Sequence, residues 1–119
     1  MSNHTILFYQ DLKTHINNPN ILRNMHVDWG DITANYPLNE EFIITFIDMF
    51  NNTHWANISL NQKLSEDFIR KYSDKVNWLW ISGKQKLSEE IILEFSHKVN
   101  WSQIVKNQIL SKDFIINNR

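Results

Sequence analysis

The feature that most constrains this chain is a recurring spacing. Trp29, Trp55, Trp78 and Trp101 stand 26, 23 and 23 residues apart, and each is followed three positions on by an Ile (Ile32, Ile58, Ile81, Ile104) and nine positions on by a Leu (Leu38, Leu64, Leu87, Leu110). Self-similarity with a period in this range means stacked supersecondary units, none of which buries its apolar face alone.

Each unit reads as two short helices. The second opens at Asn39, Ser65, Ser88 or Ser111, residues whose side-chain oxygen satisfies an orphan amide of the first turn, and acids follow: Glu40 and Glu41, Glu66 and Asp67, Glu89 and Glu90, Asp113. The Leu before each of these caps pairs with the Ile at the fourth helical position (Ile43, Ile69, Ile92, Ile115), a hydrophobic staple. The first helix repeats the device, with Asp28, His54, Asn77 or Asn100 as cap and Val27, Thr53, Val76 or Val99 before it. Asn35, Asn61 and Asn107 are placed to end it in the left-handed conformation. The three extra residues of the first unit, between Leu38 and Trp55, are expected to lengthen its second helix by about a turn.

The fold class implied is all-α: αα-hairpin repeats of about 23 residues stacked as a small α-solenoid, with units at 27–52, 53–75, 76–98 and 99–119. Residues 1–26 depart from the pattern and are expected to form an atypical helical cap, with Asn18-Pro19 opening a short helix. The recurring Trp and Ile, with the stripe Phe42, Ile43, Phe46, Phe68, Ile69, Tyr72, Ile91, Ile92 and Phe95, form the expected core.

Composition narrows the chemistry. With 119 residues there is room for one domain, and the absence of Cys removes disulfides, thiolate zinc sites and thiol nucleophiles while suiting a reducing cytosol. The start lacks the basic and apolar regions of a signal peptide, and no apolar run is long enough for a span, so a cytoplasmic protein without membrane attachment is expected. The four N-x-S/T triplets, at Asn3, Asn51, Asn57 and Asn100, read as accidents of an Asn-rich chain. Sixteen Asn and sixteen Ile against two Gly, two Ala and two Pro point to an AT-rich coding source.

The sequence LSEDFIRKYSDKVNWLWISGKQKLSEEIILEF resembles the tandem W-x-x-I-S-x-x-Q-x-L-S-E-x-F-I repeats of uncharacterised proteins of phages and large DNA viruses. The likeness covers residues 27 to 116 and is complete at Trp78, Ile81, Ser82, Gln85, Leu87, Ser88 and Glu89. It weakens in the first unit, where Tyr36 replaces the Gln, and in the last, where Val105 replaces the Ser. It implies a helical repeat protein and carries over no catalytic residues.

Catalysis finds no foothold in the sequence, and no cofactor or metal is expected. Adjacent acids on a helix point about 100° apart and cannot converge on one substrate atom, and no HExxH pair, phosphate loop or nucleophile elbow is present. His4, His15 and His26 share a spacing of eleven, but Pro19 interrupts the helix that would align them. A binding role is expected instead, through a protein partner, with self-association left open. The candidate anchor is Trp80, which stands where the other units have Asp31, Asn57 and Gln103. Leu79 replaces Gly30, Ala56 and Ser102, and Leu60 replaces Ala34, Gly83 and Lys106. A position polar in three of four units faces solvent, so its Trp reads as an exposed aromatic anchor; packing against a neighbouring segment is the competing reading. The sharper expectation is a small viral protein that inhibits or redirects a host factor, such as a defence component. Nucleic-acid binding through Lys63, Lys84, Lys86 and Lys106 is the alternative, thinly supported by a net charge of −1.

Overall fold

A computed structural model describes residues 27–118, whose regular elements are all helical, without a strand. Eight α-helices occur in pairs: α1 (Trp29–Asn35) and α2 (Glu40–Thr45), α3 (Asn52–Asn61) and α4 (Glu66–Lys71), α5 (Trp78–Lys84) and α6 (Glu89–Glu94), α7 (Trp101–Asn107) and α8 (Lys112–Asn117), with a 3-10 turn at Ile47–Met49. The expected cap over residues 1–26, and with it the spacing of His4, His15 and His26, lies outside the described residues.

The closest helix packing runs between successive first helices, α1 on α3, α3 on α5 and α5 on α7, giving a layered array of hairpins 53 × 25 × 19 Å in extent. Ile32, Ile58, Ile81 and Ile104 lie fully buried along its axis, joined by Ile43, Ile69, Ile91 and Ile92 from the second helices. Rings tie each hairpin together: Trp29 meets Phe46 at 5.2 Å, Trp55 meets Tyr72 at 6.3 Å, and Trp78 meets Phe95 at 5.0 Å.

The cap chemistry of the second helices is as the sequence dictates. Asn39, Ser65, Ser88 and Ser111 accept from the amides of Phe42, Phe68, Ile91 and Phe114 at 2.8 to 3.3 Å. Asp28, Asn77 and Asn100 cap α1, α5 and α7 in the same way.

Four expectations need correction. His54 is not a cap: Asn51 is, and His54 closes a capping box by accepting from the Asn51 amide on Nδ1 at 3.1 Å. The three extra residues therefore lengthen not α2 but the start of α3, because Asn51 is a better cap than His54 and captures the helix origin one turn earlier. Phe50 consequently becomes the staple residue, packing edge-on against Trp55 at 6.0 Å, while Thr53 lies exposed inside the helix. No described residue has a positive φ, so Asn35, Asn61 and Asn107 do not terminate helices in the left-handed region. The next residues, Tyr36, Gln62 and Gln108, are extended and leave the helix directly. Finally, Trp55 is 4% exposed, but Trp78 is only partly buried and Trp101 is 38% exposed, with Asn118 at the position that supplies Tyr72 or Phe95 to the other rings.

Candidate functional site

Each junction between hairpins is gripped by polar side chains from both sides. From the later hairpin, Gln85 reaches back: its Oε1 accepts from the Leu64 amide at 3.2 Å, and its Nε2 donates to the carbonyls of Ser59 and Gln62 at 2.9 and 2.6 Å. Gln62 does the same with Leu38, Thr33 and Tyr36, and Gln108 with Leu87, Ser82 and Gln85. One carboxamide thus caps the end of the preceding first helix, which explains why no left-handed residue is needed there.

From the earlier hairpin, a carboxylate reaches forward. Glu40 accepts from the amide and hydroxyl of Ser65 at 2.7 and 3.0 Å, Glu66 from those of Ser88 at 2.8 and 2.9 Å, and Glu89 from those of Ser111. These hydroxyls accept the cap bond and donate to the carboxylate, so the acids that read as dipole partners are also junction clasps. Ser59 and Ser82 accept the amides of Asn77 and Asn100 at 2.9 Å. The motif residues Ser, Gln and Glu are consumed by the architecture, and among the described residues no buried side-chain N or O lacks a partner. Among the same residues no cluster of three or more His, Asp or Glu is placed to hold a metal ion.

The sequence-nominated residues occupy one layer. Trp80 is half-buried; the equivalent Asn57 donates back to the Gly30 carbonyl and the Thr33 hydroxyl, and the equivalent Gln103 leans over Gly83. By repeat register, the position under Trp80 is that of Leu60, also half-buried. The deviations at 60 and 80 thus fall at facing register positions of one junction, and both enlarge the side chain relative to Gly83 and Gln103. Leu79 is the member of the trio left open, at 42% exposure.

Lys63, Lys84, Lys86 and Lys106 are all exposed, at or just beyond the ends of the first helices. Lys84 and Lys86 border an open groove of about 250 Å³ with Gln85, Leu87, Gln108 and Ile109. Glu89 and Glu90 follow within four residues of Lys86, so the edge alternates in sign and does not form a continuous cationic track.

The last described hairpin differs from the others. Val105 replaces the Ser that would receive a following hairpin, Lys112 replaces the Glu that would clasp it, and Asn118 replaces the aromatic ring. Val105 stands 72% exposed, and Ile115, whose counterparts Ile43, Ile69 and Ile92 are fully buried, is open as well. In the sequence Val105 is visible as a lapse of the motif, and the Glu-to-Lys departure at Lys112 accompanies it.

The chain has no match among protein family models, curated proteins or solved structures. No helix among the described residues is long and apolar enough to cross a membrane.

Proposed function

We propose that the chain is a non-enzymatic protein-binding scaffold whose first-helix layer receives a protein partner. The observation that carries this reading is Leu79, an open apolar side chain beside the half-buried Trp80 at positions that are small or polar in the other repeats. The motif residues that could act chemically are engaged in holding hairpins together, so apolar surface is what the layer offers. The resemblance of the repeat motif to proteins of phages and large DNA viruses supports a host factor as the partner, blocked or redirected in the host cytoplasm, with defence components as first candidates.

The test is comparative affinity capture from host cells with the wild type and Leu79→Asp. Far-ultraviolet circular dichroism should be unchanged by the substitution, and the protein captured by wild type should be lost or bound at least about tenfold more weakly. Equal capture by both would overturn the reading. So would a ligand that is released steeply by salt and lost on joint Ala substitution of Lys63, Lys84, Lys86 and Lys106, since that is the behaviour of a phosphate-binding edge.

A further inference from the structure

The first helices end at an edge whose chemistry the junctions leave unused. Residues 51–64, 76–87 and 99–110, which carry α3, α5 and α7, hold Lys63, Lys84, Lys86 and Lys106 and neither Asp nor Glu. Among the described residues the ion pairs involve Arg70 and Lys98, and Lys63, Lys84 and Lys86 enter none of them. The acids that follow these lysines in sequence are already engaged: Arg70 lies within 4.0 Å of Glu66, Asp67 and Glu90, and Glu89 accepts from Ser111. Unpaired cations beside committed acids leave the edge positive towards a ligand.

The groove at the ends of α5 and α7, about 250 Å³ in volume, shows what such a ligand would meet. Its carboxamides are spent, those of Gln85 and Gln108 on the junctions and that of Asn107 on Gln103. What remains is the ammonium groups of Lys84 and Lys86 and the side chain of Ile109, which is 94% exposed. Lys63, Lys86 and Ile109 share one register position, the residue after Gln62, Gln85 and Gln108, and so stand one layer apart along the edge. Packed helices lie about 8–10 Å apart, a step that three residues of extended chain span at about 3.3 Å each. A polynucleotide would find an apolar side chain where its third phosphate needs a cation, whereas a peptide can place a different side chain at each layer.

We propose that this edge binds an extended acidic segment of a partner protein, with the pattern acid-x-x-acid-x-x-aliphatic. The first carboxylate meets Lys63, the second sits between Lys84 and Lys86, and the aliphatic residue covers Ile109. The site is separate from the Leu79 surface, since Leu79 lies at the start of α5 and the groove at its end. Exposed ammonium–carboxylate contacts are individually weak, so a lone peptide should bind with a Kd on the order of 100 µM.

The test is a nuclear magnetic resonance titration of the isotope-labelled chain with the peptide Asp-Thr-Ser-Asp-Thr-Ser-Leu, blocked at both ends. The backbone amides of Lys63, Lys86 and Ile109 should shift together and saturate with one Kd. Lys86→Glu should weaken binding at least about tenfold and Ile109→Ser about threefold, and both residues are exposed enough for the fold to tolerate the change. Lys75→Glu, which makes the same change in net charge at an exposed residue beyond α4, and Leu79→Asp should bind as the wild type does. Moving the two acids of the peptide side by side should weaken it at least about fivefold. Equal weakening by Lys75→Glu and Lys86→Glu, a loss with Leu79→Asp, equal binding of the rearranged peptide, tighter binding of a heptathymidylate at the same lysines, or no saturable shift up to about 5 mM peptide would each overturn the proposal.

Discussion

Truncation of Gln85 to Ala tests the junction grip most directly. The side chain is 7% exposed and its carboxamide serves three backbone groups: the Leu64 amide and the carbonyls of Ser59 and Gln62. A hydrogen bond that is simply exchanged for water is worth only about 1 kcal/mol, but a buried group left without a partner costs about 1–3 kcal/mol. With three groups orphaned and partial rescue by entering water, Gln85→Ala should lose about 3–5 kcal/mol, much of the 5–15 kcal/mol typical of a small fold. Thermal unfolding followed at 222 nm should then show a fall in melting temperature of about 15–30 °C. Gln108→Ala, which removes the same three bonds at a half-exposed junction, should lose less than half as much, since water reaches the orphaned groups. Gln85→Glu separates hydrogen bonding from volume: a carboxylate cannot donate to two carbonyls, so it should be worse than Ala near pH 7 and recover in part near pH 4, where one proton is regained. A loss below about 1 kcal/mol for Gln85→Ala, or no pH dependence for Gln85→Glu, would refute the idea that the carboxamide caps the preceding helix.

Trp55→Ala should cost about 3–5 kcal/mol and Trp101→Ala about 1 kcal/mol, because only the first ring is enclosed; equal losses in chemical denaturation would contradict the uncovered end. Burial holds the His54 imidazole below its ordinary range, opposed by the weaker pull of Asp28. The neutral ring is therefore favoured by folding, and the stability it contributes is complete above the unfolded-state value and lost as pH falls from about 6.5 through the depressed one. His54→Gln, which can still close the capping box, should flatten that decline in a melting series over pH 7.5 to 5, and an identical slope in both proteins would count against it. Gly83→Ala should raise the melting temperature by a few degrees: the new methyl meets the Gln103 Oε1 at 2.7 Å, a flexible side-chain end that can swing aside, while the helix gains up to about 1 kcal/mol in propensity. A fall would show that the Gln103 carboxamide is fixed in place.

What the sequence disclosed and what it hid divide along the range of the interactions involved. The Ser65, Ser88 and Ser111 caps and the buried Leu38, Leu64 and Leu87 are set within a few residues, so spacing alone reveals them. The choice of Asn51 over His54 as a cap depended on two competing origins three residues apart, which periodicity cannot rank. The grips of Gln62 and Gln85 cross 21 to 29 residues to backbone groups, and backbone has no letter in the sequence to flag it. Trp101 shares its preceding Asn cap and following Ile with Trp78, and its greater exposure goes with Asn118, which stands where Trp78 has Phe95. For the candidate surface, the departure of Leu79 from the pattern was legible, whereas the partial burial of Trp80 needed the register of the layers.

The junction grips have a consequence for how such a chain can change in length. Glu66 clasps Ser88 as Glu89 clasps Ser111, and Gln85 seizes the preceding helix as Gln108 does, so every junction uses interchangeable parts. Excising residues 66–88 would join Ser65 to Glu89 and rebuild a complete junction from what remains, and duplicating the same segment would insert another. Recombination between stretches that share these junction residues therefore yields a folded product more readily than point change does, and the array can lose or gain surface in whole units of 23 residues.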